Sequence, residues 1–168
     1  MGLFSFLKSA GAKILGTKAA ENDATSTATA NAEALIALKE ANNNRKAASL
    51  ATEVASQGIY IENLEIRVDD DTATVYGLVK TTADKEKIIL ILGNVEGIAN
   101  VDDRITVTDP EPEATFYTVV KGDTLSKIAK THYGNAMKYP VIFEANKPML
   151  TDPDLIYPGQ VLRIPKID

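Results

Sequence analysis

Tyr117-Thr-Val-Val-Lys-Gly-Asp-Thr-Leu-Ser-Lys-Ile-Ala129 and Ile156-Tyr-Pro-Gly-Gln-Val-Leu-Arg-Ile-Pro165 bracket one short stretch of this chain, and between them they decide its C-terminal fold. The first opens with a β-branched run, a strand signal. Gly122-Asp123-Thr124 then turns the chain and caps a helix that carries Leu125, Ile128 and Ala129 inward. After Tyr133-Gly134 a second helix carries Ile142 and Phe143 as far as Asn146. Tyr157-Pro-Gly-Gln160 turns into a last strand, Val161-Leu-Arg-Ile164. Residues 116–168 therefore read as β-α-α-β.

Upstream, Asp109-Pro-Glu-Pro-Glu113 makes residues 109–115 a short, stiff, acidic linker. Residues 45–108 carry a different pattern. Leu50, Val54 and Ile59 keep helical spacing up to Gly58, and Leu64-Glu-Ile-Arg-Val68 alternates as a half-buried strand does. Asp69-Asp70-Asp71 turns it and Ala73 to Val79 returns. Thr82-Ala-Asp-Lys-Glu86 starts a capped helix with Ile88, Ile89, Ile91 and Leu92 inward, ended by Gly93. A third strand lies between Ile98 and Val107, with Val101, Ile105 and Val107 buried. Two helices on a three-stranded sheet make a small domain, and the class of the whole chain is α+β.

Residues 17–44, rich in Ala, Thr, Asn and Ser, read as a linker or insertion with a possible helix from Ala32 to Ala41 that Asn42-Asn43-Asn44 stops. Residues 1–16 read as an N-terminal amphipathic helix through Leu3, Phe4, Phe6, Leu7, Ile14 and Leu15, broken near Gly11. That helix either docks on the rest of the protein or anchors at a membrane surface. Only Lys8, Lys13 and, just beyond it, Lys18 supply positive charge, which favours docking and argues against stable membrane insertion.

The chain has 168 residues, 45% of them hydrophobic and 24% charged, with a formal net charge of −5. No basic stripe dominates, so nucleic acid is not an expected partner. Cysteine is absent and His132 is the single histidine, which removes disulfides, thiolate metal sites and every scheme needing two imidazoles. Met1-Gly-Leu-Phe-Ser-Phe-Leu-Lys8 lacks the long apolar run of an export signal, and Phe6 stands where myristoylation wants Ser or Thr. The expected address is the cytoplasm.

Asp69-Asp70-Asp71 lacks the spaced acids, central Gly and distant Glu of a calcium loop and reads better as a polar hairpin turn. His132, Asp123 and Ser126 supply the letters of a hydrolase triad. Lying within ten residues on one helix and its cap, they cannot readily converge, and no enzyme is expected.

The C-terminal unit resembles the LysM domain through Tyr117-Thr-Val, Gly122 to Ala129, Tyr133-Gly134, Asn146 and Ile156 to Pro165. The middle unit resembles the BON domain through Val75-Tyr-Gly77, Val95-Glu-Gly97 and Val101-Asp-Asp103. With Met1-Gly-Leu-Phe in front, the whole chain resembles the bacterial cytoplasmic potassium-binding proteins of BON-LysM type.

That resemblance implies a K⁺ sensor or buffer whose ion is held by the backbone carbonyls of Leu7, Ala10, Ala12, Gly93, Val95 and Ile98, with the LysM domain stabilising the bound state. The chemistry is coherent. K⁺ is large and singly charged, so a ring of neutral oxygens can replace its hydration shell. Glycine-containing turns at helix ends free such carbonyls. As a LysM module the chain could instead bind peptidoglycan or other N-acetylglucosamine polymers along Gly122, Asp123, Thr124, Asn146, Ile156 and Gly159. A cytoplasmic address disfavours a glycan. A scaffold for protein partners is a third reading, and the sequence names no partner for it.

Overall fold

The computed structural model describes residues 2–6 and 26–167. The fold is α+β: strands β1 (Gly2–Ser5), β2 (Glu62–Asp69), β3 (Thr72–Thr81) and β4 (Asn100–Asp109) form a sheet of order β1-β4-β3-β2, and β5 (Thr115–Thr118) and β6 (Val161–Ile164) form a second. Strand β2 (Glu62–Asp69) and strand β3 (Thr72–Thr81) form a hairpin whose register closes at Asp69 opposite Thr72. Asp70 takes the positive φ of 55° that this tight turn needs. Helix α2 (Thr82–Gly93) then crosses over to β4 (Asn100–Asp109), which pairs parallel to β3. The α2 cap is Thr81, whose hydroxyl accepts from the Asp84 N–H at 3.1 Å. Ile88 through Leu92 are all buried, so α2 is covered on every side over its second half. Its apolar run is the core between the sheet and the C-terminal unit.

Two expectations are corrected. The amphipathic helix read over residues 1–16 is not what Gly2–Ser5 forms. These residues are strand β1, antiparallel to β4, with Phe4 opposite Val101. A short apolar cluster fits either period, and here the open edge of β4 supplies backbone partners. Phe4 and Phe6 face inward while Leu3 stays 66% exposed. Residues 7–16, with Ile14 and Leu15, lie outside the described residues. The sheet consequently has four strands where three were expected.

The second correction concerns residues 17–44. Helix α1 runs without a break from Ser26 to Ser56, straight through Asn42-Asn43-Asn44, so these asparagines stop nothing. Each Asn costs a helix well under about 1 kcal/mol relative to Ala. Burial of Leu50 and Val54 outweighs that cost, and it fixes the C-terminal half of the helix on the sheet. Lys39 and Lys46 hold its middle to the hairpin tip: the Lys39 ammonium is 3.0 Å from both Asp69 and Asp70, and Lys46 donates to the Asp70 carbonyl at 2.7 Å. Residues 30–42 are exposed throughout.

The C-terminal unit is β5 (Thr115–Thr118), α3 (Leu125–Tyr133), a 3₁₀ turn at Ala136–Lys138, α4 (Tyr139–Ala145) and β6 (Val161–Ile164). Thr124 caps α3 by accepting from the Lys127 N–H at 3.2 Å. Val119, Leu125, Ile128, Ala129, Ile142, Leu150, Leu162 and Ile164 make its core. The linker does not swing free, because the Glu111 N–H donates to Thr82 at 2.8 Å and the Ala114 N–H to Glu86 at 2.7 Å. Both acceptors belong to α2. Among the described residues no helix is long and apolar enough to cross a membrane.

Candidate functional site

Helix α2 ends in the turn Gly93-Asn-Val-Glu-Gly-Ile98, and the geometry of this turn follows from where its N–H groups go. The Asn94 N–H donates back to Leu90 at 3.0 Å, Val95 to Leu92 at 3.3 Å, and Ile98 to Val95 at 3.2 Å. The Val95 carbonyl thus has one partner and a lone pair to spare. Among the described residues no N–H donates to the carbonyls of Gly93 or Ile98. These carbonyls sit at the negative end of the α2 dipole. Three of the six carbonyls expected to hold K⁺ therefore share one turn.

The N-terminal strand delivers the chain to that turn. The Phe6 N–H donates to Ala99 at 2.6 Å, and the Phe6 ring occupies the space beside Gly93. A Cβ on Gly93 would stand 1.9 Å from Phe6 Cζ, so only glycine admits the ring. The next residue along is Leu7. Leu7, Ala10 and Ala12 themselves lie outside the described residues.

On the other side of the turn lies β6. The Asn94 amide donates to the Val161 carbonyl at 3.0 Å and accepts from the Val161 N–H at 2.9 Å. Arg163 of β6 meets Glu86 of α2 in a buried ion pair. Val161 packs into the core around α2, and Phe116 of β5 lies against Phe4 with ring centroids 5.3 Å apart. The sequence reading placed Phe6 on a helix face and Glu86 at the start of a capped helix, and it gave neither of them, nor Ala99 or Asn94, a role at this turn. Only Gly93-Asn94, at the end of an apolar helix, carried a local signal, that of a helix C-cap.

The alternative groove residues fall into two neighbouring loops. The Gly159 N–H donates to Val119 at 2.8 Å, which sets the loop holding Gly122 beside the loop holding Gly159. Neither glycine has a heavy atom within 4 Å of where a Cβ would stand, so both rims are open. The side chains beside them are already engaged. Asp123 accepts from the Tyr117 hydroxyl at 2.8 Å and the Val120 N–H at 3.0 Å, and Thr124 is the α3 cap. The hydrogen bond to Asp123 raises the Tyr117 pKa. Asn146 is 2% exposed and is bonded to both the N–H and the carbonyl of Arg163, and Ile156 packs on the C-terminal core. His132 stacks edge-on against the Tyr117 ring, 5.4 Å between centroids. The Asp123 carboxylate is thus tied to Tyr117 and the strand end.

Asp69 and Asp70 pair with Lys39, while the Asp71 carbonyl accepts from Ala99 and Asn100 at 2.7 and 3.1 Å. The acidic turn thereby braces the start of β4. Among the described residues no three acidic or imidazole side chains gather as metal ligands.

Fold and contacts define a BON domain joined edge to helix with a LysM domain, and the family models agree: the BON domain model matches residues 43–109 and the LysM domain model residues 117–165. The chain belongs to the family of the potassium binding protein Kbp of Escherichia coli O6:H1, to which it is 43% identical over 167 residues, 99% of either chain. An uncharacterized protein of Deinococcus radiodurans is 51% identical over 57 residues, 34% of this chain and 22% of that one. The esterase Rv1288 of Mycobacterium tuberculosis is 45% identical over 67 residues, 40% of this chain but 13% of the esterase, so its activity does not carry over.

Proposed function

We propose that this protein binds K⁺ in the cytoplasm, as a sensor or buffer of the ion. The ligands are the main-chain carbonyls of Leu7, Ala10 and Ala12 together with those of Gly93, Val95 and Ile98. The LysM domain holds the bound arrangement. The observation that carries this reading is the seating of Phe6 against Gly93 and Ala99, which brings the chain to the carbonyl-rich turn one residue before Leu7. The near-full-length likeness to a protein named for potassium binding supports it. A cage of neutral carbonyls suits a large monovalent cation, whereas Mg²⁺ keeps its water and wants a compact octahedral shell.

Thermal melting in KCl, RbCl, CsCl, NaCl and choline chloride at one ionic strength tests the reading. K⁺ at a hundredfold excess over its Kd should stabilise the fold by about 2.7 kcal/mol, with Rb⁺ and Cs⁺ substituting in part and Na⁺ poorly. Deleting residues 1–12 should abolish the effect, while Asp69→Asn with Asp70→Asn should leave it intact. Equal shifts in NaCl and KCl would reduce the effect to charge screening and overturn the proposal.

A further inference from the structure

We infer that Asn94 is the positioning residue through which the LysM domain sets the carbonyls of the Gly93–Ile98 turn. The inference rests on the potassium reading and adds a specific lever to it. Asn94 sits between two of the proposed ligands, Gly93 and Val95, yet its side chain points away from them into the C-terminal unit. Its amide makes three bonds: Nδ2 to the Leu90 carbonyl at 2.9 Å, Nδ2 to the Val161 carbonyl at 3.0 Å, and Oδ1 from the Val161 N–H at 2.9 Å. The Met149 sulfur lies 3.3 Å from the same Nδ2.

The two bonds to Val161 imitate a neighbouring β-strand. β6 pairs with β5 along one edge, with Val161 opposite Thr118, and Asn94 takes both main-chain groups of Val161 on the other edge. A primary amide matches a peptide group in donor and acceptor, so the fit fixes the Asn94 rotamer. The backbone N–H of Asn94 reaches the same Leu90 carbonyl, at 3.0 Å, so side chain and main chain share that anchor on α2.

In a trans peptide the N–H and the preceding C=O point opposite ways. Pinning the Asn94 N–H onto Leu90 therefore aims the Gly93 carbonyl forward, out of the helix end. Release of the side chain from β6 frees Asn94 to rotate, and with it the peptide planes on either side. A carbonyl cage discriminates between ions only while its oxygens are held in place, and groups supporting metal ligands typically contribute about 10–100-fold in affinity.

The experiment titrates full-length protein with KCl and then NaCl by calorimetry, with choline chloride holding ionic strength. The variants are Asn94→Ala, Val161→Pro, the pair together, and Tyr133→Phe. Val161→Pro deletes the N–H that Asn94 accepts, on the side of β6 away from β5. Tyr133→Phe removes a hydroxyl bonded to the Pro165 carbonyl at 2.7 Å, inside the LysM unit and away from the turn. Melting in choline chloride checks that each variant is folded at the titration temperature.

Asn94→Ala should weaken K⁺ binding about tenfold or more and narrow the preference for K⁺ over Na⁺. Val161→Pro should do the same to a smaller degree, and the double variant should be no worse than Asn94→Ala alone. Tyr133→Phe should lower the melting temperature and keep both affinity and preference. K⁺ affinity within twofold of the parent in Asn94→Ala would overturn the inference and leave the potassium reading standing. So would losses that add in full in the double variant, or a Tyr133→Phe loss equal to that of Asn94→Ala. Failure of the unsubstituted protein to bind K⁺ would overturn both.

Discussion

The Phe6 ring and the Gly93 backbone occupy one space: a methyl group on Gly93 would stand 1.9 Å from the ring's Cζ. Gly93→Ala must therefore expel Phe6, and β1 loses the anchor at its end. Phe6→Ala removes a nearly buried aromatic and should cost about 3 kcal/mol. In that background Gly93→Ala should cost far less than it does alone, because the ring it clashes with is gone. Urea unfolding of the two single variants and the double measures the coupling, and simple additivity would count against the packing described.

The two halves of α1 should respond oppositely to substitution. Leu50 is 2% exposed in the core, so Leu50→Ala should cost about 2–5 kcal/mol in chemical denaturation. Leu35 and Leu38 are 67% and 58% exposed, so Leu35→Ser and Leu38→Ser should each change stability by no more than about 0.5 kcal/mol. A large loss at Leu35 would mean that the first half of the helix is packed in solution.

Glu86 and Arg163 are both buried, at 3% and 7% exposure, and Glu86 also accepts from the Ala114 N–H. Arg163→Met leaves an uncompensated buried carboxylate and should cost about 3–5 kcal/mol. Adding Glu86→Leu removes that charge and should restore much of the loss. Thermal unfolding of the single and double variants reads the difference directly.

Alkaline conditions should loosen the LysM unit. The bond to Asp123 raises the Tyr117 pKa above its ordinary value near 10, and burial raises that of Tyr133. A group with a raised folded pKa contributes stability that is complete below its unfolded pKa and fades as pH climbs through the folded one. Stability should accordingly hold up to about pH 10 and fall above it. Tyr117→Phe with Tyr133→Phe should flatten that fall, as denaturation curves between neutral and strongly alkaline pH will show.

Much of this architecture was legible before folding was considered. The β-α-α-β unit is written in local signals: Thr124 as a cap, Gly122 and Gly159 in turns, and Leu125, Ile128 and Ala129 on one helical face. The hairpin at Asp69-Asp70-Asp71 and the apolar run of α2 are local in the same sense, because each depends on residues a few positions apart. The carbonyl turn after Gly93 could be located for that reason, although its ligand roles rested on family resemblance.

What only the tertiary structure decided lies in contacts between distant parts of the chain. Leu3 and Phe4 fit helix or strand equally, and the open edge of β4, with Phe4 opposite Val101, made them a strand. Three asparagines in a row predict a stop, yet burial of Leu50 and Val54 carries α1 through them. Asn94 reaches Val161 across 67 positions and Glu86 reaches Arg163 across 77. Local propensity holds no term for such pairs. A sequence declares the period and the turns of its elements, but the partner of a buried polar side chain is chosen by whichever surface folds against it.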